Sequence, residues 1–261
     1  MKKIFILFFL IISLHKIAAQ TGMTVTAPRL YYEVVPGETG NVSFKVINDS
    51  KTNKLDVAVT LGDWNYDSLG NNMFYKAGEL PQTCADWIST DAGNIFTLAP
   101  GESRVINVRM TVPSTLDPNI NVRTAMLYLT QTNAVENTEK MVKESVRIGV
   151  KIFHRKPGNK NYKINFSSLS LDKKRNALKL NFSNASNTWV EGTIYSDLFN
   201  SSNGSQAKLQ DISIYTLPGD QRFVYIPLRD DLQKGKYTAT VMMDTGDKEN
   251  LEVAELTFNY E

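Results

Sequence analysis

The side chains that most often carry catalysis are scarce in this sequence. It contains two histidines and one cysteine, and His15 lies within residues 1–19, a segment that we interpret below as a cleaved export signal, which leaves His154 and Cys84. A single histidine argues against a clustered-histidine zinc site, and a Ser-His-Asp triad must be built around this one imidazole ring. No acid or nucleophile pattern accompanies His154. We interpret the histidine as a structural side chain in a strand and the cysteine as a small buried hydrophobe.

Two further motifs carry oxygen ligands or carboxylates. Residues 242–246 read apolar-apolar-Asp-Thr-Gly, as in aspartic proteases, but that chemistry needs two carboxylates and the triplet occurs once. A hairpin loop over residues 244–250 is the simpler interpretation. Residues 197–204 cluster oxygen donors without the spaced carboxylates of a calcium loop, so we predict a solvated turn. With no phosphate-cradling glycine motif either, the sequence predicts no enzyme, no metal site and no cofactor.

The charge of the chain excludes one class of partner. The 29 Lys and Arg residues against 27 Asp and Glu give a formal net charge of +2. Three of the basic residues and none of the acidic ones lie before residue 20, so the remainder carries 26 basic and 27 acidic side chains. A nearly neutral chain lacks the basic excess that nucleic acids demand. We expect protein rather than nucleic-acid partners.

Residues 1–19 have the pattern of an export signal. Lys2 and Lys3 precede an apolar run from Ile4 to Leu14, and Ala18-Ala19 offers small residues for cleavage. The run is about half of the roughly 20 residues that span a bilayer, so a membrane anchor is disfavoured. The pattern predicts a cleaved signal peptide and a location in the periplasm.

The rest of the chain alternates between apolar and polar residues with a period of two. Val42-Phe44-Val46 and Ile106-Val108-Met110 are typical of half-buried strands, and turn clusters such as Pro36-Gly37-Glu38 separate them. A second series of strands follows the polar segment at Pro157. The sequence therefore predicts an all-β chain of two immunoglobulin-like β-sandwich domains in tandem, at residues 20–157 and 158–261.

One predicted strand, residues 141–157, has the features of a recognition edge. It runs directly into the segment between the domains and carries an apolar face that Glu144 interrupts. The members of this face are Val142, Val146, Ile148 and Val150. Pattern alone favours an ordinary core strand with one solvent face. The alternative is an exposed edge that donates or accepts a strand.

The C-terminal part of this strand resembles a family signature. Residues 150–157, Val-Lys-Ile-Phe-His-Arg-Lys-Pro, are similar to the Ile-Lys-Leu-Phe-Tyr-Arg-Pro motif that ends the first domain of PapD-like periplasmic pilus chaperones. Residues 25–32, with Arg29 before a short apolar stretch, resemble the first strand of that family. The resemblance covers residues 23–157, and its last-strand motif is the specific part.

The resemblance implies a binding mechanism. In that family, an arginine of the first strand and a lysine of the last strand hold the C-terminal carboxylate of a fimbrial subunit. The matching residues here are Arg29 and Lys151, and Val142, Val146 and Ile148 match the face that fills the subunit's groove. The implied partners are subunits exported to the cell surface and an outer-membrane usher.

Two hypotheses therefore follow from the sequence. The first is a periplasmic chaperone that binds fimbrial or other exported subunits through the interdomain cleft and an edge strand. The second is a non-catalytic structural or adhesive β-sandwich module of a cell-envelope assembly, in which residues 141–150 are ordinary core strand.

Overall fold

The computed structural model describes residues 22–133, 135–137, 142–247 and 251–261, with the backbone alone for residues 135–137 and 142–144. The signal peptide predicted at residues 1–19 lies outside this range. Within the described part of the chain, no helix is long and apolar enough to cross a membrane. A short 3-10 helix spans Ala85–Trp87, and the regular structure around it is β-strand.

The strands of the first half form one sandwich. They are β1 (Met23–Val25), β2 (Arg29–Glu33), β3 (Thr39–Asn48), β4 (Leu55–Tyr66), β5 (Asn72–Lys76), β6 (Ile88–Thr90), β7 (Ile95–Leu98), β8 (Ser103–Thr111), β9 (Val122–Gln131), β10 (Val135–Asn137), β11 (Val142–Glu144) and β12 (Arg147–Arg155). One sheet has the order β1-β3-β8-β6. The other has the order β2-β12-β9-β4-β5, with β7 also on β4, and β10 and β11 form a separate hairpin.

The second half forms another sandwich. Its strands are β13 (Ile164–Asp172), β14 (Ala177–Asn184), β15 (Val190–Asn200), β16 (Gln206–Lys208), β17 (Ile212–Thr216), β18 (Gln221–Pro227), β19 (Gly235–Asp244) and β20 (Glu252–Tyr260). One sheet has the order β13-β14-β18. The other has the order β16-β15-β19-β20, with β17 also paired to β15. The all-β, two-sandwich class predicted from the alternation is confirmed.

Strand alternation explains how each sandwich obtains its core. In β8, Ile106, Val108 and Met110 point inward and are fully buried, whereas Arg109 between them faces solvent. Lys45 on the neighbouring β3 faces solvent in the same way. Because successive side chains of a strand point to opposite faces, alternating polar and apolar residues give the sheet one apolar face. This face packs against the other sheet of the sandwich.

The single strand predicted over residues 141–157 is wrong in one respect. The structure has two strands, β11 and β12, with residues 145 and 146 between them. At the interruption, the Ser145 hydroxyl donates a hydrogen bond to the carbonyl oxygen of Gln131 at 2.6 Å. β11 then pairs with β10 instead of continuing along β9.

Candidate binding cleft between the two sandwiches

Parallel pairing of β2 with β12 brings two predicted site residues together. Lys151 lies opposite Arg29, and Phe153 lies opposite Tyr31 two residues further on. Partner residues of adjacent strands lie about 4.8 Å apart with their side chains on the same face of the sheet. Arg29 and Lys151, which are distant in sequence, are therefore neighbours on the face that is directed at the second sandwich.

Lys151 lies in a cage of aromatic rings. Its Nζ is 4.3 Å from the ring centroid of Trp64 and 4.4 Å from that of Tyr66, and it donates a 3.0 Å hydrogen bond to the Tyr66 hydroxyl. Burial, together with repulsion from Arg29 and Arg222, lowers the pKa of Lys151 to about 8. The lysine is thus a partly dehydrated cation that other cations surround.

Arg29 reaches across to the second sandwich. Its Cζ lies 4.0 Å from the ring centroid of Tyr215, which belongs to β17. Its Nε is buried and has no hydrogen-bond partner. Within the described residues, neither Arg29 nor Lys151 has a carboxylate at ion-pair distance. Unpaired cations in a partly buried site favour an anionic ligand.

Arg222 of β18 is a third cation at this site, and sequence reasoning missed it. Its Cζ is 5.2 Å from the ring centroid of Tyr66, the same ring that Lys151 contacts. Its Nη1 donates a 2.9 Å hydrogen bond to the carbonyl oxygen of Tyr215. The sequence carries no local signal for this position, because the contacts join strands from different sandwiches.

The turn between β4 and β5 supports Arg222 from the first sandwich. Gly70 in this turn has φ +94°, and a Cβ there would overlap the Arg222 guanidinium. A side chain at position 70 would therefore strain the backbone and displace the Arg222 guanidinium. The carbonyl oxygen of Ser68 in the same turn accepts a 2.9 Å hydrogen bond from the amide of Phe223.

A stack of aromatic rings joins the sandwiches beside the cations. The ring of Tyr31 lies 5.1 Å from that of Phe153 and 5.2 Å from that of Trp189 in the second sandwich. The Tyr31 hydroxyl donates a hydrogen bond to the Glu191 carboxylate. Offset stacking and a charge-assisted hydrogen bond at the same place favour one arrangement of the cleft walls.

The N-terminal half of β12 has an open edge. β12 pairs with β9 from Arg147 to Arg155, but β2 covers its other side only from Lys151 onward. The chain before β2 belongs to the other sheet, because β1 pairs with β3 and residues 26–28 cross between the sheets. In the described part of the chain, residues 147–150 therefore have no strand on this side.

The hydrogen-bond pattern shows which groups of this edge are free to pair. The amide of Lys151 donates to Pro28 on the β2 side at 2.9 Å, and the carbonyl of Val146 accepts from Gln131 on the β9 side. Hydrogen-bonding direction alternates along an antiparallel strand. The N–H and C=O groups of Arg147 and Gly149 therefore point away from β9.

The predicted strand-donor residues do not share one strand. Val146 and Ile148 are partly buried and pack against the core of the first sandwich, at the end of the face that continues into Val150. Val142 lies on β11, opposite Asn137 of β10, and its side chain is outside the described atoms. Ile148 thus lies on the strand with the open edge, Val146 lies immediately before that strand, and Val142 lies on β11.

The remaining candidate residues have structural surroundings. His154 is buried, its Nε2 lies 3.0 Å from the carbonyl oxygen of Val34, and burial lowers its pKa. Cys84 is buried and free, and burial raises its pKa, as expected for a small hydrophobe. Both residues belong to the packing of the first sandwich.

The two oxygen-rich motifs are turns in whole or in part. Asp244 ends β19, and its Oδ1 accepts a 2.7 Å hydrogen bond from the amide of Gly246, which has φ +77°. This confirms the start of the predicted loop; residues 248–250 are outside the described range. Residues 197–200 complete β15, so the turn predicted over 197–204 is confined to residues 201–204.

A comparison with solved structures finds chaperones, including one from a pilus assembly system. The YadV chaperone aligns over 91% of this chain and 99% of its own, at 14% identity and a TM-score of 0.48. A chain of the CsuC–CsuE chaperone–tip adhesion subunit complex from Acinetobacter baumannii aligns over 90% and 97%, at 14% identity and 0.48. The chain is similar to these proteins in fold.

A third solved structure also aligns with this chain, whereas the sequence comparisons find no match. A protein of unknown function from Porphyromonas gingivalis aligns over 91% of this chain and 99% of its own, at 15% identity and a TM-score of 0.33. No family model matches the sequence. No curated protein matches it.

Proposed function

We propose that this protein is a non-enzymatic periplasmic chaperone for exported subunits. Arg29 and Lys151 hold the C-terminal carboxylate of the subunit, and the open edge of β12 pairs with the strand that precedes this carboxylate. The observation that carries the proposal is the register-matched pair of cations, without a carboxylate partner in the described residues, directly beside an unpaired strand edge. Fimbrial subunits are the client class that the motif at residues 150–157 implies.

The topology determines the direction in which a client strand runs. β2 occupies the edge of β12 from Lys151 onward, and the amide of Lys151 donates to Pro28 just before β2. A client whose carboxylate lies at Arg29 must therefore end where β2 begins. Its preceding residues then pair with residues 147–150 and run parallel to β12. Gly149 presents only backbone along this path.

The energetics favour a chain terminus over an internal segment. Charge-assisted hydrogen bonds contribute about 1.5–3 kcal/mol each, and they are strongest where both ions are already removed from water. Lys151 is half-buried in its cage before a ligand arrives, so part of the desolvation cost is already met by the fold. Backbone pairing at Arg147 and Gly149 adds affinity without demanding a particular client sequence.

Apolar side chains extend the same site. Val146 and Ile148 are partly buried at the end of the first core. A client sandwich that lacks one strand exposes an apolar groove, and in this proposal Val146 and Ile148 fill it. Strand addition to a free edge and groove filling then occur along one continuous segment, residues 146–150.

Charge reversal tests the proposal. Arg29→Glu and Lys151→Glu are each expected to abolish co-purification of exported subunits from the periplasm, because a negative charge repels the carboxylate. Lys45→Glu and Arg109→Glu are matched controls, since both side chains are exposed on the opposite sheet. Full recovery of the same subunits by the cleft variants would contradict the proposal and favour a structural or adhesive module.

The location and the second partner are part of the same proposal. We place the mature protein in the periplasm after removal of residues 1–19, where it delivers subunits to an outer-membrane usher. Cell fractionation with N-terminal sequencing of the purified protein measures both location and processing. Retention of the protein in the cytoplasm would contradict this part of the proposal.

A further inference from the structure

Three cations from both sandwiches form one connected cluster. Arg29 stacks on the ring of Tyr215, and Arg222 donates to the carbonyl oxygen of the same tyrosine at 2.9 Å. Arg222 and Lys151 both contact the ring of Tyr66, at 5.2 and 4.4 Å from its centroid. Two tyrosines thus hold three positive charges together at the cleft.

Arg222 has unused hydrogen-bonding capacity despite its burial. Its side chain is 5% exposed, and its Nε has no hydrogen-bond partner. Its one ion pair within the described residues is with Asp220, whose Oδ2 lies 3.8 Å from Nη1, beyond hydrogen-bond distance. The Oδ2 atom of Asp220 already accepts from the amide of Leu217 at 2.8 Å and the hydroxyl of Thr216 at 3.0 Å.

A buried donor without a partner is costly, and a buried guanidinium is especially so. Arg29 has the same deficit, because its Nε is also buried and unpaired. Two guanidinium groups and one ammonium group, each with free N–H donors, match an anion with several acceptor lone pairs. A carboxylate has about four such acceptor sites.

We propose that Arg222 is the third cation of the carboxylate site, so that residues of both sandwiches hold the C-terminus of the client. This inference rests on the proposed function and adds the second sandwich to the site. Arg29 and Lys151 approach the carboxylate from β2 and β12, and Arg222 approaches it from β18. Binding of the client therefore links the two sandwiches as well as occupying the cleft.

The test compares a peptide with a free C-terminus and its amide. The probe is a ten-residue peptide that alternates valine and threonine, and its affinity in both forms is measured by calorimetry. In wild-type protein the free acid is expected to bind more tightly. Arg222→Gln is expected to reduce the acid-to-amide affinity ratio about tenfold or more, because one charge-assisted contact is lost. Arg222→Lys is expected to restore part of the ratio, because it keeps the charge.

A merely structural role for Arg222 gives a different result. Loss of cleft geometry would weaken the acid and the amide equally, leaving the wild-type ratio in Arg222→Gln and overturning the inference. Arg175→Gln is the matched control, since Arg175 also stacks on a tyrosine, Tyr225, but is 59% exposed at the far end of the same sheet.

Two further measurements separate this inference from the proposed function. If Lys151→Gln lowers the ratio and Arg222→Gln does not, the proposed function stands and the role of Arg222 is refuted. If wild-type protein does not distinguish acid from amide, both are refuted. Nitrogen NMR of the Arg222 Nε in wild-type protein needs no variant. The signal is expected to shift with the acid and not with the amide, and equal behaviour would overturn the inference.

Discussion

Raising the pH from 7 to 9 is expected to weaken binding of a peptide with a free C-terminus about tenfold. The pKa of Lys151 is lowered to about 8 by burial and by the neighbouring arginines. Its ammonium is therefore mostly charged at pH 7, and only about one tenth of it is charged at pH 9. The carboxylate stabilises the charged form alone, so affinity follows that fraction.

The neighbouring tyrosine, histidine and arginine side chains do not change their charge between pH 7 and 9. Burial raises the pKa of Tyr66 to about 12, and arginines stay charged throughout. Burial lowers the pKa of His154, so that ring is neutral across the range. Among these groups, Lys151 is the one whose charge changes between pH 7 and 9.

Fluorescence anisotropy of the labelled ten-residue peptide from pH 6.5 to 9.5 measures the effect. Lys151→Arg keeps its charge over this range, and its affinity is expected to remain constant. The amidated peptide is the control, because it lacks the carboxylate that Lys151 recognises. A constant wild-type affinity, or an equal loss in Lys151→Arg, would refute the assignment of Lys151 as a carboxylate ligand.

Three other properties follow from the same structure. Because the pKa of Lys151 in the folded state lies below its ordinary 10.5, the free energy of unfolding of the unliganded protein is expected to gain a component that rises from pH 8 to 10.5. Urea titrations at several pH values should therefore give a steeper rise of the free energy of unfolding with pH in wild type than in Lys151→Met. An equal dependence on pH in the two proteins would argue against a dehydrated lysine. Cys84 is expected to resist a thiol reagent in the folded protein and to react fully in urea, since burial raises its pKa; rapid labelling of folded protein would show that the thiol is accessible. Trp64→Phe removes the 2.9 Å hydrogen bond from the indole to the buried carbonyl of Ala125 and is expected to cost about 1–3 kcal/mol in urea unfolding, whereas an unchanged midpoint would show that the bond contributes nothing.

The sequence predicted the sandwiches because their signal is local. Alternation in segments such as residues 106–110 identifies both the strand and its buried face without knowledge of its partners. The proximity of Arg29 and Lys151 came from the family resemblance, since nothing in the spacing of two residues so far apart predicts a parallel pairing.

The parts that sequence reasoning missed depend on contacts between distant strands. Arg222 is a single cation beside the apolar run of residues 223–226, and its role emerges only when Tyr66 and Tyr215 approach it from different sandwiches. The break at residues 145–146 was missed for a related reason. The apolar pattern continues through it, whereas in the structure β11 pairs with β10 and β12 pairs with β9.

Residue-specific hydrogen exchange tests the central claim most directly. In the free protein, the amides of Arg147 and Gly149 point to the open edge and are expected to exchange faster than those of Ile148 and Val150, which pair with β9. The ten-residue peptide with a free C-terminus is expected to slow exchange at Arg147 and Gly149, and the amide is expected to do so less. Equal protection of all four amides in the free protein, or no change at Arg147 and Gly149 with the peptide, would contradict a chaperone that adds a client strand to this edge.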